Sequence, residues 1–337
     1  MAPSETVPAR PRRHHAWIKW GRPIVSVGLL AILITRIDPS TFVPQDRSLP
    51  GVLAFLIAGI LIMLVSFVLA AWRWQRVLAV FDSHIGLRTL LSHYLAGQFV
   101  GNVLPSTVGG DVLRVTRCSN DTGSTEVAFA SVVIERLTGF VALPLITFVG
   151  FIARPDLFET GRSWVALAIA GATLLFLAVI LVLAASPRLA GRFKDHANWM
   201  RYIGIVHVGV DRMRRDPRDA LTALGAAIAY QLTVLAAVYC AVHTIGLTIP
   251  NGAVVAFIPA VAMAQVVPIS VGGLGVREAM LAFFFHPLGV PTGQAVAVGL
   301  LWYAMTLVVS LAGAPAFAMG NRDPHHRAPA AAGADGS

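Results

Sequence analysis

The sequence predicts an all-α polytopic membrane protein, with six long transmembrane helices plus two re-entrant broken-helix hairpins in a 3+3 inverted repeat. Three observations predict it. The 337 residues are 56% hydrophobic and only 13% charged, with a mean hydropathy of +0.71, whereas a soluble domain carries roughly 25% charged residues. The stretch Gly101–Val115, GNVLPSTVGGDVLRV, interrupts this apolar chain with proline, glycine and charge. It returns 163 residues later as Gln265–Glu278, QVVPISVGGLGVRE. In register, Pro105 matches Pro268, Gly109 and Gly110 match Gly272 and Gly273, and Arg114 matches Arg277. Finally, 20 of the 26 Lys and Arg residues fall on one side of the resulting topology and five on the other. That positive-inside bias puts both termini in the cytoplasm.

Taken in order, residues 1–16 form a basic cytoplasmic tail and residues 17–319 the transmembrane domain. Arg10, Arg12, Arg13, Lys19 and Arg22 before the short apolar run Pro23–Thr35 resemble a signal peptide. Arg36-Ile37-Asp38-Pro39 follows instead of a small-residue cleavage site, which favours an uncleaved helix from Trp17. Gly51–Ala71 is long enough to cross a ~30 Å hydrocarbon core, and Trp72-Arg73-Trp74 reads as its interface anchor. A cytoplasmic hairpin over residues 89–115 leads to the span Val127–Ile152, which ends the first half (17–152). The second half (163–319) opens with Trp164–Ala185, a uniformly apolar scaffold helix. The basic stretch Pro187–Arg218 sets topology, with contact to anionic headgroups as the alternative. Ala220–Ile245 is a span, residues 254–278 form an external hairpin, and Gln294–Met319 is the last long run. Residues 320–337, rich in Ala, Pro, Gly and His, read as a disordered tail. Three crossings per half invert the second half, so the hairpins enter from opposite sides, a recurring transporter plan.

The chemistry concentrates in the interruptions. Proline costs roughly 3 kcal/mol and glycine roughly 1 kcal/mol in a helix interior, and a bend frees backbone amides that hydrocarbon cannot satisfy. Pro105, Gly109, Gly110, Pro268, Gly272 and Gly273 are the expected bends. Amides exposed at half-helix N-termini suit an anion such as a phosphate. The plainer reading is a pair of tight surface loops.

Glu135 and Arg136 sit roughly 13 Å into their span at 1.5 Å per residue. Each charge costs about 2.5–3.5 kcal/mol at a helix centre. Being about 100° apart, they do not face one another; Asp111, Arg114, Arg277 and Glu278 are the nearest candidates to neutralise them. Arg114, Arg136 and Arg277 are candidate headgroup-binding residues. Asp111, Glu135 and Glu278 would position them or meet a cationic headgroup, and an interhelical salt bridge is a compatible reading. Gln98, Asn102 and Gln265 are candidate polar-path residues, with interhelical glue the alternative for the first two.

Other classes are excluded or unsupported. The net charge of +9 lies in short loops between apolar runs, which membrane topology explains better than nucleic acid. Cys118 and Cys240 form neither a disulfide framework nor a metal motif. No nucleophile elbow, HExxH or P-loop is present. No catalytic residue, metal or cofactor is therefore expected, nor is an enzyme.

Gln98–Val115, Ala130–Gly139 (ASVVIERLTG) and Val267–Met280 (VPISVGGLGVREAM) together resemble the flippase-like, lysylphosphatidylglycerol synthase transmembrane-domain family. The three blocks come in that family's order, over most of Leu29–Met319. The best-known members are the multiple peptide resistance factors, whose membrane domain moves an aminoacylated phospholipid made by a separate soluble domain. With about 18 residues after the last span, the resemblance implies lipid handling without the soluble synthase. Relatives of similar length are associated with glycolipid, polyprenyl-phosphate sugar or hopanoid pathways.

The expectation is an integral protein of the bacterial inner membrane that binds and translocates an anionic phospholipid or lipid-linked headgroup. A secondary transporter of a soluble anion, or a non-transporting subunit of a lipid-modifying pathway, is the alternative. Membrane lipid is the expected partner, with a lipid-modifying enzyme or a second copy of the chain as further partner classes, and no nucleic acid.

Overall fold

The computed structural model describes residues 48–103, 109–185, 199–266 and 272–318. The expected first helix, Pro105, Pro268 and both tails lie outside them. The described residues form helices and connecting turns without strands: α1 (Leu49–Ala79), α2 (Leu87–Val103), α3 (Gly109–Thr122), α4 (Thr125–Ala153), α5 (Ser163–Ala185), α6 (Trp199–Arg215), α7 (Pro217–Ile245), α8 (Asn251–Ala264), α9 (Val276–Phe285), α10 (Thr292–Leu311) and α11 (Gly313–Ala318). Five of these, α1, α4, α5, α7 and α10, contain stretches long and apolar enough to cross a membrane.

Local chemistry sets the boundaries. Ser124 caps α4, its hydroxyl accepting from the Val127 amide at 3.2 Å. Asp216 caps α7, Pro217 occupies its first position, and Gly246, with φ 88°, ends it in the left-handed conformation. The long apolar stretch predicted to close the chain is broken at Ala312, and α11 is a separate short helix. A Cβ on Gly313 would lie 2.1 Å from the Leu95 carbonyl oxygen, so glycine lets α11 sit directly on α2.

At the centre, α1 and α7 pack antiparallel: Phe55 meets His243 near one end, and Val77 and Ala223 share a cluster near the other. The largest core joins these helices to α4, α8, α9 and α10, with Phe257 stacked on Phe284 at 4.9 Å. One correction to the sequence reading arises here. The predicted interface anchor Trp72-Arg73-Trp74 does not end its helix; α1 runs on to Ala79, and Arg73 and Trp74 are buried. The basic stretch before α7 contains α6, which packs on α4 and α5, and Arg212 of α6 donates to the Val80 carbonyl at 2.8 Å.

Candidate functional site

The first interruption makes a tight helical hairpin. Helices α2 and α3 run antiparallel, with His93 Nε2 2.6 Å from Asp121 Oδ2 at the base and glycines near the tip. A Cβ on Gly110 would fall 2.4 Å from the Gly97 carbonyl oxygen, closer than real Cβ contacts allow. The backbones therefore touch, and Arg114 lies against Gly97. Helices α8 and α9 make the corresponding pair. The turn into α9 uses Gly272, Gly273 and Gly275 at φ 60°, 75° and 84°, the left-handed region that favours glycine.

The two hairpin ends face one cavity. One lobe, about 310 Å³, is lined by Gly97, Gln98, Asn102, Gly110, Asp111 and Arg114 of the first hairpin, by Arg136, and by Gln265, Gly272 and Gly273 of the second. A second lobe, about 270 Å³, shares Gln98, Arg114, Arg136 and Gln265 and reaches Arg73, Tyr94, Glu135, Tyr230 and Trp302. Phe140, Leu143, Val234 and Ala262 give this lobe an apolar wall. Gln98 and Asn102 are both lining and glue. The Gln98 amide donates to the Tyr94 hydroxyl at 2.8 Å, and the Asn102 amide donates to the Ser310 hydroxyl of α10 at 2.7 Å.

A chain of charges crosses this cavity. The Glu135 carboxylate accepts from Arg73 through one oxygen and from Arg114, at 3.2 Å, through the other. Asp111 pairs with Arg114 at 3.5 Å and with Arg136. The helical offset between Glu135 and Arg136 lets the first meet Arg73 of α1 and Arg114 of α3, and the second meet Asp111 in the first turn of the same α3. Burial grades along the chain: Glu135 is 1% exposed and Arg114 4%, whereas the Arg136 side chain is 51% exposed. Aromatic faces support the buried cations, with Arg114 4.3 Å from the Trp74 ring centroid and Arg73 4.8 Å from that of Tyr230. Arg73 Nε and Nη1 and Arg114 Nε are buried donors that no acceptor among the described residues meets.

Of the sequence-derived residues, Arg114, Arg136, Asp111, Glu135, Gln98, Asn102 and Gln265 are gathered here. Arg277 and Glu278 are not. Arg277 pairs with its neighbour Glu278 at 2.7 Å, and Glu278 also accepts from the Gly275 amide at 2.6 Å. Both are buried outside the cavity lining, so the matched arginine secures the start of α9 rather than facing the cavity. Among the charged lining residues, Arg73 is the one that sequence reasoning missed; Tyr94, Tyr230, Gln231 and Trp302 are uncharged lining residues it did not single out. The available signal was Val77-Leu78-Ala79-Val80, an apolar continuation beyond the supposed anchor.

The sequence profile of the lysylphosphatidylglycerol synthase TM region matches residues 20–313. The chain belongs to this family. No individual curated protein matches the sequence. The match to the lysylphosphatidylglycerol synthase TM region takes in both hairpins, α4 and every residue of the charge chain. Membership in this family, together with several long apolar helices, makes the chain a multi-pass membrane protein with a lipid-related setting.

Proposed function

We propose that this protein is a lipid translocase that binds an anionic phospholipid or lipid-linked headgroup between two re-entrant hairpins. The observation that carries the reading is the cavity itself: both glycine-rich interruptions border it, and Arg73, Arg114 and Arg136 supply positive charge inside it. A lining that combines guanidinium groups with apolar residues suits a headgroup with its chains still in lipid.

The inverted 3+3 arrangement is supported by exchange-symmetric packing. Helix α4 lies on the second hairpin through α8, and α10 lies on the first through α2. Gly150 near the end of α4 seats against Ala256 of α8, while Gly313 just after α10 seats against Leu95 of α2. At 1.5 Å per residue, the 14 residues of α8 and 10 of α9 reach only about 21 and 15 Å. Each falls short of a ~30 Å core, which favours re-entry. In this reading the protein sits in the bacterial inner membrane with cytoplasmic termini and carries out no covalent chemistry.

The test is reconstitution into liposomes with leaflet-specific reduction of labelled lipids. Arg114→Ala and Arg136→Ala are expected to slow exchange by roughly tenfold or more each, the equivalent of one charge-assisted hydrogen bond. Exchange unchanged by both substitutions would remove the cavity from the pathway.

A further inference from the structure

A separate cavity of about 250 Å³ shares no lining residue with the two lobes of the central one. Its walls come from four helices: Ile134 and Val141 of α4, Leu177 and Leu181 of α5, Val210 of α6 and Leu224 of α7. Thr138 brings the one hydroxyl of the lining, and it already donates to the Glu135 carbonyl at 2.8 Å. Apart from Arg214, the walls therefore offer a ligand no free polar side chain. Helix α6 closes this slot. It seats on α4 and on the residue after α1 where a Cβ on Gly209 would fall 2.5 Å from both Ile134 Cδ1 and Phe81 Cζ. Arg212 holds its end, pairing with Asp82 at 2.7 Å. The slot opens on the outer surface: Leu181 is 38% exposed, next to Val182 at 67%.

We propose that this slot takes one acyl chain of an anionic phospholipid from the surrounding leaflet, with the lipid's phosphate on Arg214 at its mouth. Arg214 is the one charged residue of the lining, is exposed, and pairs with no carboxylate among the described residues. The charges around it are committed: Arg212 to Asp82, Arg215 to Asp211 at 2.8 Å, and Asp216 to the Arg218 amide as the cap of α7. Asp219, in the first turn of α7, is offset in charge by Arg218. The wider stretch Pro187–Arg218 carries eight Lys and Arg against three Asp, a surplus that draws net-negative headgroups. A soluble anion gains nothing from apolar walls, and a helix about 10 Å across does not enter so small a slot. An acyl chain moves there from one apolar medium to another, so the phosphate contact supplies the selectivity. In the topology proposed above, the end of α5 and the start of α7 put the mouth at the cytoplasmic face.

The test uses the full chain in phosphatidylcholine nanodiscs containing a little phosphatidylglycerol with a photoreactive diazirine on one acyl chain. Peptide mapping after illumination is expected to find adducts concentrated on the peptides that carry Leu177–Leu181 and Val210–Met213. Labelling there should be about fivefold stronger than with phosphatidylcholine bearing the same chain. Arg214→Gln should weaken it by about the same factor, whereas Arg215→Gln, outside the lining, should not. Leu181→Trp, which fills the slot at a half-open position, should displace the adducts while the thermal midpoint stays in place. Equal labelling by the two lipids, or equal effects of the two arginine substitutions, overturns the recognition of an anionic headgroup. Adducts spread evenly over the exposed faces of α1 and α5 overturn the slot itself. Benzoylphenylalanine placed at Leu181 should cross-link to lipid; cross-linking to residues 186–198 or to a second copy of the chain would replace lipid as the occupant.

Discussion

Glu135 holds two guanidinium groups from two other helices while being 1% exposed, so its loss leaves Arg73 and Arg114 buried with too little negative charge. Breaking a buried pair from one side costs about 3–5 kcal/mol. Glu135→Ala is therefore expected to lower the thermal midpoint of the detergent-solubilised protein sharply, as is Arg73→Ala. The double substitution should cost less than the sum of the two, because the second removes a charge that the first stranded. Additive losses in that cycle would mean that the two residues do not interact. At this scale the sequence exposed Glu135 and Arg136 by their expense inside a span, and Asp111 and Arg114 by their spacing. It hid Arg73, since an arginine between two tryptophans looks the same at a membrane surface as under a bundle.

Between elements, the decisive contacts are those where glycine lets backbones meet. On α3, Gly110→Ala places a methyl carbon 2.4 Å from a main-chain oxygen that cannot rotate away, so the hairpin arms must part. The expected cost is about 1–3 kcal/mol, typical of overpacking, accompanied by loss of lipid exchange. Gly225→Ala on α7 is the control. Nothing lies within 4 Å of the added carbon, and helix propensity predicts stabilisation of up to about 1 kcal/mol. Calorimetry or fluorescence melting of the two variants reads both signs. The matched glycines and prolines made the two hairpins visible in the sequence. They did not reveal that Arg114 would turn toward Glu135 while Arg277 turns to its own neighbour, because that choice depends on which helix each hairpin faces.

For the whole molecule, the proposed inverted repeat predicts that the two hairpin tips open to opposite faces. Single cysteines at Thr107 and Ser270, introduced into a chain freed of Cys118 and Cys240, are expected to react with impermeant maleimide from opposite sides of the membrane. Labelling of both from one side would contradict the arrangement. The proposed halves differ in their chemistry: acids and arginines come to the cavity from α1, α3 and α4, whereas α7, α8, α10 and the glycine turn before α9 contribute amides, aromatic groups and backbone.

The sequence by itself determined the membrane class, the approximate extents of α4, α5 and α7, and the two interruptions. All of these follow from local composition, periodicity and the backbone behaviour of proline and glycine. Tertiary structure decided which charges share a cavity. A buried ion pair depends on distance and orientation between helices far apart in sequence, so Arg73 and Glu135, 62 residues apart, could be joined only once α1 and α4 were packed.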